Sequence, residues 1–147
     1  NIEKGISEKL ISSRAACVPV RIFSDHTSYN KLNQTFILPL SSQSQKIQKK
    51  LKKVKIKNYG FLNKGKNFEF FDTYATSSYM FALAYALSIA NSGQAKSILI
   101  AGIDGYNNDE LNSEMNELIK SYYKNKKSLK AISITPTKYK IKTKSVF

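Results

Sequence analysis

The chain has 147 residues, 41% hydrophobic and 12% aromatic, which excludes a disordered tail and suffices for one domain with a packed core. Its formal charge is +14, yet only Arg14 and Arg21 supply the planar cation that base and phosphate recognition favours. The lysines therefore read as a solvated face, which argues against nucleic acid as a partner.

No apolar run reaches the roughly 18 residues of a membrane span, so no membrane partner is expected. NIEKGISEKL lacks the pattern of a signal peptide, and Cys17 as the only cysteine excludes an intrachain disulfide framework. The expected compartment is cytoplasmic.

Residues 2–14 read as a helix with Ile6, Leu10 and Ile11 on one side. CVPVRIF is expected to run extended around Pro19, followed by a polar, turn-prone SDHTSYNKLNQT. FILPL, residues 36–40, reads as a short buried strand ended by its proline. Seven lysines between Lys46 and Lys57 interleave with Ile47, Leu51, Val54 and Ile56. The first half of that run has helical spacing; the second alternates like an edge strand guarded by lysine. Gly60 and Gly65 mark the next stretch as a loop.

TYATSSYMFALAYALSIANSG offers Thr76, Ser77 and Ser78 as caps for an apolar helix over 79–90, closed by Asn91 and Gly93. Apolar on nearly all sides, this helix should be buried against a sheet. A strand over 97–101, a loop over 102–108 and a helix capped by Asp109 come next. The stripe of that helix is Leu111, Met115, Leu118, Ile119 and Tyr122. A second strand, 130–134, stops at Pro136. Strand, helix, strand is a βαβ crossover, so the predicted fold is α/β: a single three-layer Rossmann-like domain. Its mainly parallel sheet would hold 36–40, 97–101 and 130–134, with Leu83, Leu87 and Leu99 in the core.

The glycine-flanked acid of AGIDGY marks the candidate site. The spacing is neither G-x-G-x-x-G nor a P-loop, so no cofactor is implied. Position still counts, because open parallel sheets bind ligands beyond the carboxyl ends of their strands. Asp104, Tyr106, Thr135 and Thr137 should share one rim, with Asp104 serving its own turn or a ligand. Ser77 is a further candidate, since hydroxyls and free N–H groups at a helix start can hold an anion, although capping alone also accounts for them. His26 beside Asp25 is the one histidine a nucleophilic triad would use, and no nucleophile elbow accompanies it. No catalytic residue and no metal site is assigned.

Ala101-Gly102-Ile103-Asp104-Gly105-Tyr106, Glu114-Met115-Asn116 and Thr135-Pro136-Thr137-Lys138-Tyr139, with CVPVR and FILPLS before them, resemble a bacterial domain that follows an aldolase barrel. The barrel is of the HMG-CoA lyase-like type, often labelled 4-hydroxy-2-oxovalerate aldolase, and such proteins tend to occur with surface-polysaccharide genes. The resemblance implies a C-terminal fragment of a longer protein, whose partner is the aldolase barrel of the same parent chain. The barrel's metal ligands are absent here, so no aldolase residue carries over and enzyme status stays open. The expected role is binding or positioning of a sugar or nucleotide-sugar ligand, with oligomerisation left open. Two alternatives stand beside it: a glycosyltransferase-like or nucleotide-sugar-binding domain, and a lysine-rich polyanion-binding adaptor.

Overall fold

The computed structural model describes residues 13–32 and 34–144. The helix expected over residues 2–14 lies outside them except for Ser13 and Arg14, which are strand. The chain forms two compact units that divide between Phe61 and Leu62.

The first unit contains strand β1 (Ser13–Ala15), helix α1 (Pro19–Lys31), β2 (Thr35–Leu38), a 3-10 turn (Leu40–Ser42), α2 (Gln45–Lys50) and β3 (Ile56–Asn58). Its sheet runs β1–β2–β3, all parallel, with Phe36 opposite both Arg14 and Ile56. The segment expected to be extended and then turn-like is therefore helical. Pro19 starts the helix instead of preventing it, because at the first helical position its missing N–H has no partner to lose and its φ is already set. Ile22 and Tyr29, seven apart, are the helix's buried residues. The lysine run divides as expected into helix and edge strand. Ser44 caps α2 by accepting from Ile47 N, and Lys46 and Lys50 set their ammonium groups 5.6 and 4.5 Å from the Phe23 ring centre. Ile22, Tyr29, Phe36, Leu38, Ile47 and Leu51 form the core.

The second unit is entered along β4 (Gly60–Asn63). It continues with β5 (Glu69–Phe70), β6 (Tyr74–Ser77), α3 (Ala82–Ser92), β7 (Ile98–Ile100), α4 (Asp109–Lys124), β8 (Ala131–Ser133) and β9 (Lys142–Thr143). One sheet is ordered β4–β6–β5, with β5 and β6 antiparallel; the other is β7–β8–β9, all parallel. The βαβ crossover is present, with Ile98 opposite Ala131 and Ile100 opposite Ser133.

Several expectations are corrected here. The three strands do not share one sheet: residues 36–40 contribute to β1–β2–β3, the other two to β7–β8–β9. The stretch after Gly60 is strand on both sides of a turn, because Gly65, at φ +74°, turns the chain once and leaves its flanks extended. Helix α3 begins at Ala82 with Phe81 as a cap that makes no side-chain bond, since Thr76 and Ser77 are spent in β6. Asn108, not Asp109, caps α4 by accepting from Leu111 N at 2.9 Å. Asp109 and Glu110 instead sit in the first turn, where negative charge suits the helix dipole.

Of the expected core leucines, Leu87 is buried and Leu83 half-buried, whereas Leu99 is 60% exposed. Alternation along β7 turns Ile100 to the buried side with Ser133 and Leu99 to the other face beside Ile132. The apolar run ILIA reads as buried on both faces, and only one is. On α4 the expected stripe holds: Met115, Leu118, Ile119 and Tyr122 are buried, with Leu111 half-buried.

Candidate functional site

The loop after β7 and the loop after β8 leave the same edge of the sheet, and they are tied together by backbone and threonine groups. Gly102, at φ +75°, turns its N–H onto Thr135 Oγ1 at 3.0 Å. The Thr137 hydroxyl donates to Ile103 O at 2.6 Å and accepts from Tyr139 N at 3.1 Å. Lys138 N donates to Asp104 O at 3.1 Å. Below them, the fully buried Ser133 donates to Thr135 O at 2.7 Å.

The far side of the loop is held by helix α4. Asn112 accepts from Tyr106 N and donates to Tyr106 O, both at 2.8 Å, which pins the backbone at that residue from two directions. Asn116 donates to Asn112 O and accepts from Lys140 N, so the same helix face also reaches the chain beyond β8. Tyr106 stays 39% exposed, its ring 6.0 Å from that of Phe81. Burial pushes the Tyr139 phenol up, with the Tyr106 phenol adding to the effect and a hydrogen bond at the Tyr106 backbone opposing it.

Gly105 is the position this arrangement constrains most. Its φ is +125°, and a Cβ there would lie 2.8 Å from Lys138 Cδ and 3.2 Å from Lys138 Cβ and Cγ. Gly105→Ala should lower stability by about 1–3 kcal/mol from backbone strain alone; urea unfolding would show it.

Asp104, Tyr106, Thr135 and Thr137 thus occupy one rim. Of the two roles open to the acid, service to its own turn is not seen. Asp104 is exposed, and its carboxylate accepts no hydrogen bond among the described residues. The left-handed turn at Gly102 points backbone groups at the threonine loop, so the threonine hydroxyls bond Gly102 and Ile103 instead. Asn112 and Asn116, which do the clamping, escape a reading of the sequence because an asparagine inside a helix reads as solvent-facing. Their i, i+4 spacing on one helix face is the signal that could find them.

Ser77 stands apart from a helix terminus. It lies in β6, is 2% exposed, and accepts from Tyr79 N at 3.2 Å. Ser78 donates to Gly65 O, and the helix starts only at Ala82, so the hydroxyls of this segment serve the strand and its neighbouring turn. His26 lies on α1, where its Nδ1 donates to Phe23 O at 2.6 Å, while Ser24 donates to Asp25. That is local helix bonding, without the hydroxyl–imidazole contact of a triad. Among the described residues no group of three His, Cys, Asp or Glu side chains converges to hold a metal ion, and no helix is long and apolar enough to cross a membrane.

The rim offers a carboxylate acceptor, a partly exposed aromatic ring and a scaffold that is already fixed. An acceptor of that kind takes hydroxyl or N–H donors, and the ring covers an apolar face. No family model, curated protein or solved structure matches the chain.

Proposed function

We propose that this chain is the C-terminal, Rossmann-like accessory domain of an aldolase-type protein of sugar or surface-polysaccharide metabolism. It would bind a hydroxyl-rich ligand, a sugar or the sugar of a nucleotide sugar, on the rim of Asp104 and Tyr106. One observation carries the binding role. The loop is closed by threonine, asparagine and backbone groups, which leaves the Asp104 carboxylate unbonded among the described residues beside an exposed tyrosine. A loop whose backbone is already held costs little to order when a ligand arrives. The three-layer assignment belongs to the same proposal and is supported by the parallel strand–helix–strand crossovers of each unit. Its partner is the aldolase barrel of the parent chain, and the coding sequence upstream of Asn1 tests that part.

The binding role is tested by titrating monosaccharides and nucleotide sugars into the protein while following amide and side-chain resonances. The expected result is saturable shifts at Asp104 and Tyr106. Asp104→Asn should unfold within about 0.5 kcal/mol of the parent protein. It should also weaken the bound sugar by about tenfold or more, the worth of a hydrogen bond to a charged group. A variant that loses 1–3 kcal/mol of stability, or a panel that moves nothing at the rim, would overturn the reading.

A further inference from the structure

The sheet β4–β6–β5 carries a cleft that shares no residue with the rim. Its strands divide by parity. Ala75 and Ser77 are buried, and the Phe68 and Phe70 rings meet Tyr122 edge-on. Alternate residues Leu62, Lys64, Glu69, Phe71 and Tyr74, with Thr76, which is itself buried, line a cleft of about 380 Å³ on the other side. The water-facing side of an antiparallel sheet ordinarily reads polar. Here Leu62 and Phe71 stand 44% and 41% exposed, and the Phe71 and Tyr74 rings stack at 4.4 Å and 17°.

The backbone that carries the charged wall is fastened rather than loose. Lys64 and Lys66 flank Gly65, and the turn between them is fastened at several points. Ser78 donates to Gly65 O at 2.9 Å, Lys64 N to Ser77 O at 3.3 Å, and Ser121 to Lys66 O at 3.4 Å while accepting from Phe68 N. Neither lysine pairs with an acid among the described residues. Two unpaired cations against the single carboxylate of Glu69 make the cleft complementary to an anion.

We infer that this cleft binds a nucleoside phosphate. The base lies against the Phe71–Tyr74 platform, the phosphate is held by Lys64 and Lys66, and Glu69 accepts from the ribose hydroxyls. Lysine serves phosphate as a point charge, and every base has a π-face that an aromatic platform accepts. The volume falls in the range of small-molecule sites, roughly 300–1,000 Å³, which favours a mononucleotide over a nucleic-acid strand.

The test is titration of uridine 5′-diphosphate into the full chain by NMR, with uridine, inorganic pyrophosphate and an oligouridylate as comparisons. The diphosphate should shift Lys64, Lys66, Phe71 and Tyr74 together and saturate. It should bind at least about tenfold tighter than uridine, the contribution expected of charge-assisted contacts. Lys64→Ala/Lys66→Ala, at two exposed positions, should remove that advantage without changing the melt, and added salt should erode it. Asp104→Asn should leave it intact, which keeps failure here separate from failure at the rim. Equal affinity for uridine and its diphosphate would overturn the proposal. So would pyrophosphate shifting the lysines as strongly with the aromatic signals still, or an oligouridylate binding over about a hundredfold tighter across surfaces beyond the cleft.

Discussion

Replacing Tyr122 by alanine is expected to destabilise the second unit by about 3–5 kcal/mol, the range for a buried aromatic ring. The side chain is 1% exposed, and its ring packs edge-on to Phe68 and Phe70 at 5.5 and 5.7 Å. Its hydroxyl donates to Leu129 O at 2.7 Å and accepts from Asn91 Nδ2 at 2.8 Å, while Asn91 Oδ1 takes Leu129 N. Tyr122 thus joins the end of α3, the last turn of α4 and the chain entering β8. Tyr122→Phe separates the ring from the hydroxyl and should cost about 1–3 kcal/mol, because both hydrogen bonds go and their partners stay behind. Burial pushes the phenol up, with Asn91 and Leu129 opposing it. An acid whose folded pKa is raised leaves stability full below the unfolded value, about 10 for tyrosine. Stability is then lost as pH rises through the folded value. Alkaline unfolding should therefore begin above about pH 10 and weaken in Tyr122→Phe. Urea unfolding followed by circular dichroism checks both; a Tyr122→Ala midpoint equal to the parent's would mean that this contact does not hold the unit.

Where one periodicity governs a long segment, the fold is legible. The α4 stripe and the strands flanking that helix follow from the apolar positions alone, and β8 pairs with β7 as a crossover demands. The failures cluster where a single residue type has two meanings. Pro19 is compatible with an extended segment and with a first helical turn, and only the tertiary demand for Ile22 and Tyr29 on one side decides for the helix. Gly60 and Gly65 punctuate, but punctuation marks a turn and says nothing of its flanks. Leu99 shows the limit of composition: a run of four apolar residues fits a strand buried on both faces or on one, and the sheet's neighbours decide which.

The site is legible in position and not in bonding. Strand order and crossover place Asp104 near Thr135 and Thr137, because loops following parallel neighbours emerge together. Which atoms of the loop meet the threonines depends on φ at Gly102 and Gly105, a three-dimensional fact that a glycine permits without dictating. The cleft beside Phe71 is less visible still. Its residues come from three short strands, and the alternation that gathers Lys64, Glu69 and Thr76 on one face emerges only once the register Glu69 to Thr76 is known.

In the first unit the largest effect is expected at Phe36, which should cost about 3–5 kcal/mol when replaced by alanine. It is fully buried in the central strand, opposite Arg14 on one side and Ile56 on the other. Its ring lies 4.4 Å from that of Tyr29, so the α1 side of the core rests on it. Leu38, on the same face two residues on, is also fully buried and belongs to the same core. Phe36→Leu keeps an apolar side chain of nearly the right size and should cost under about 1.5 kcal/mol, so the pair of variants separates packing volume from strand propensity. Native-state hydrogen exchange of β1, β2 and β3 amides is the sharper readout, because it follows this unit directly. If the core is organised around Phe36, alanine should drop protection in all three strands together. If protection falls in β2 alone, the three strands do not open as one unit, and the ring fills space without organising them.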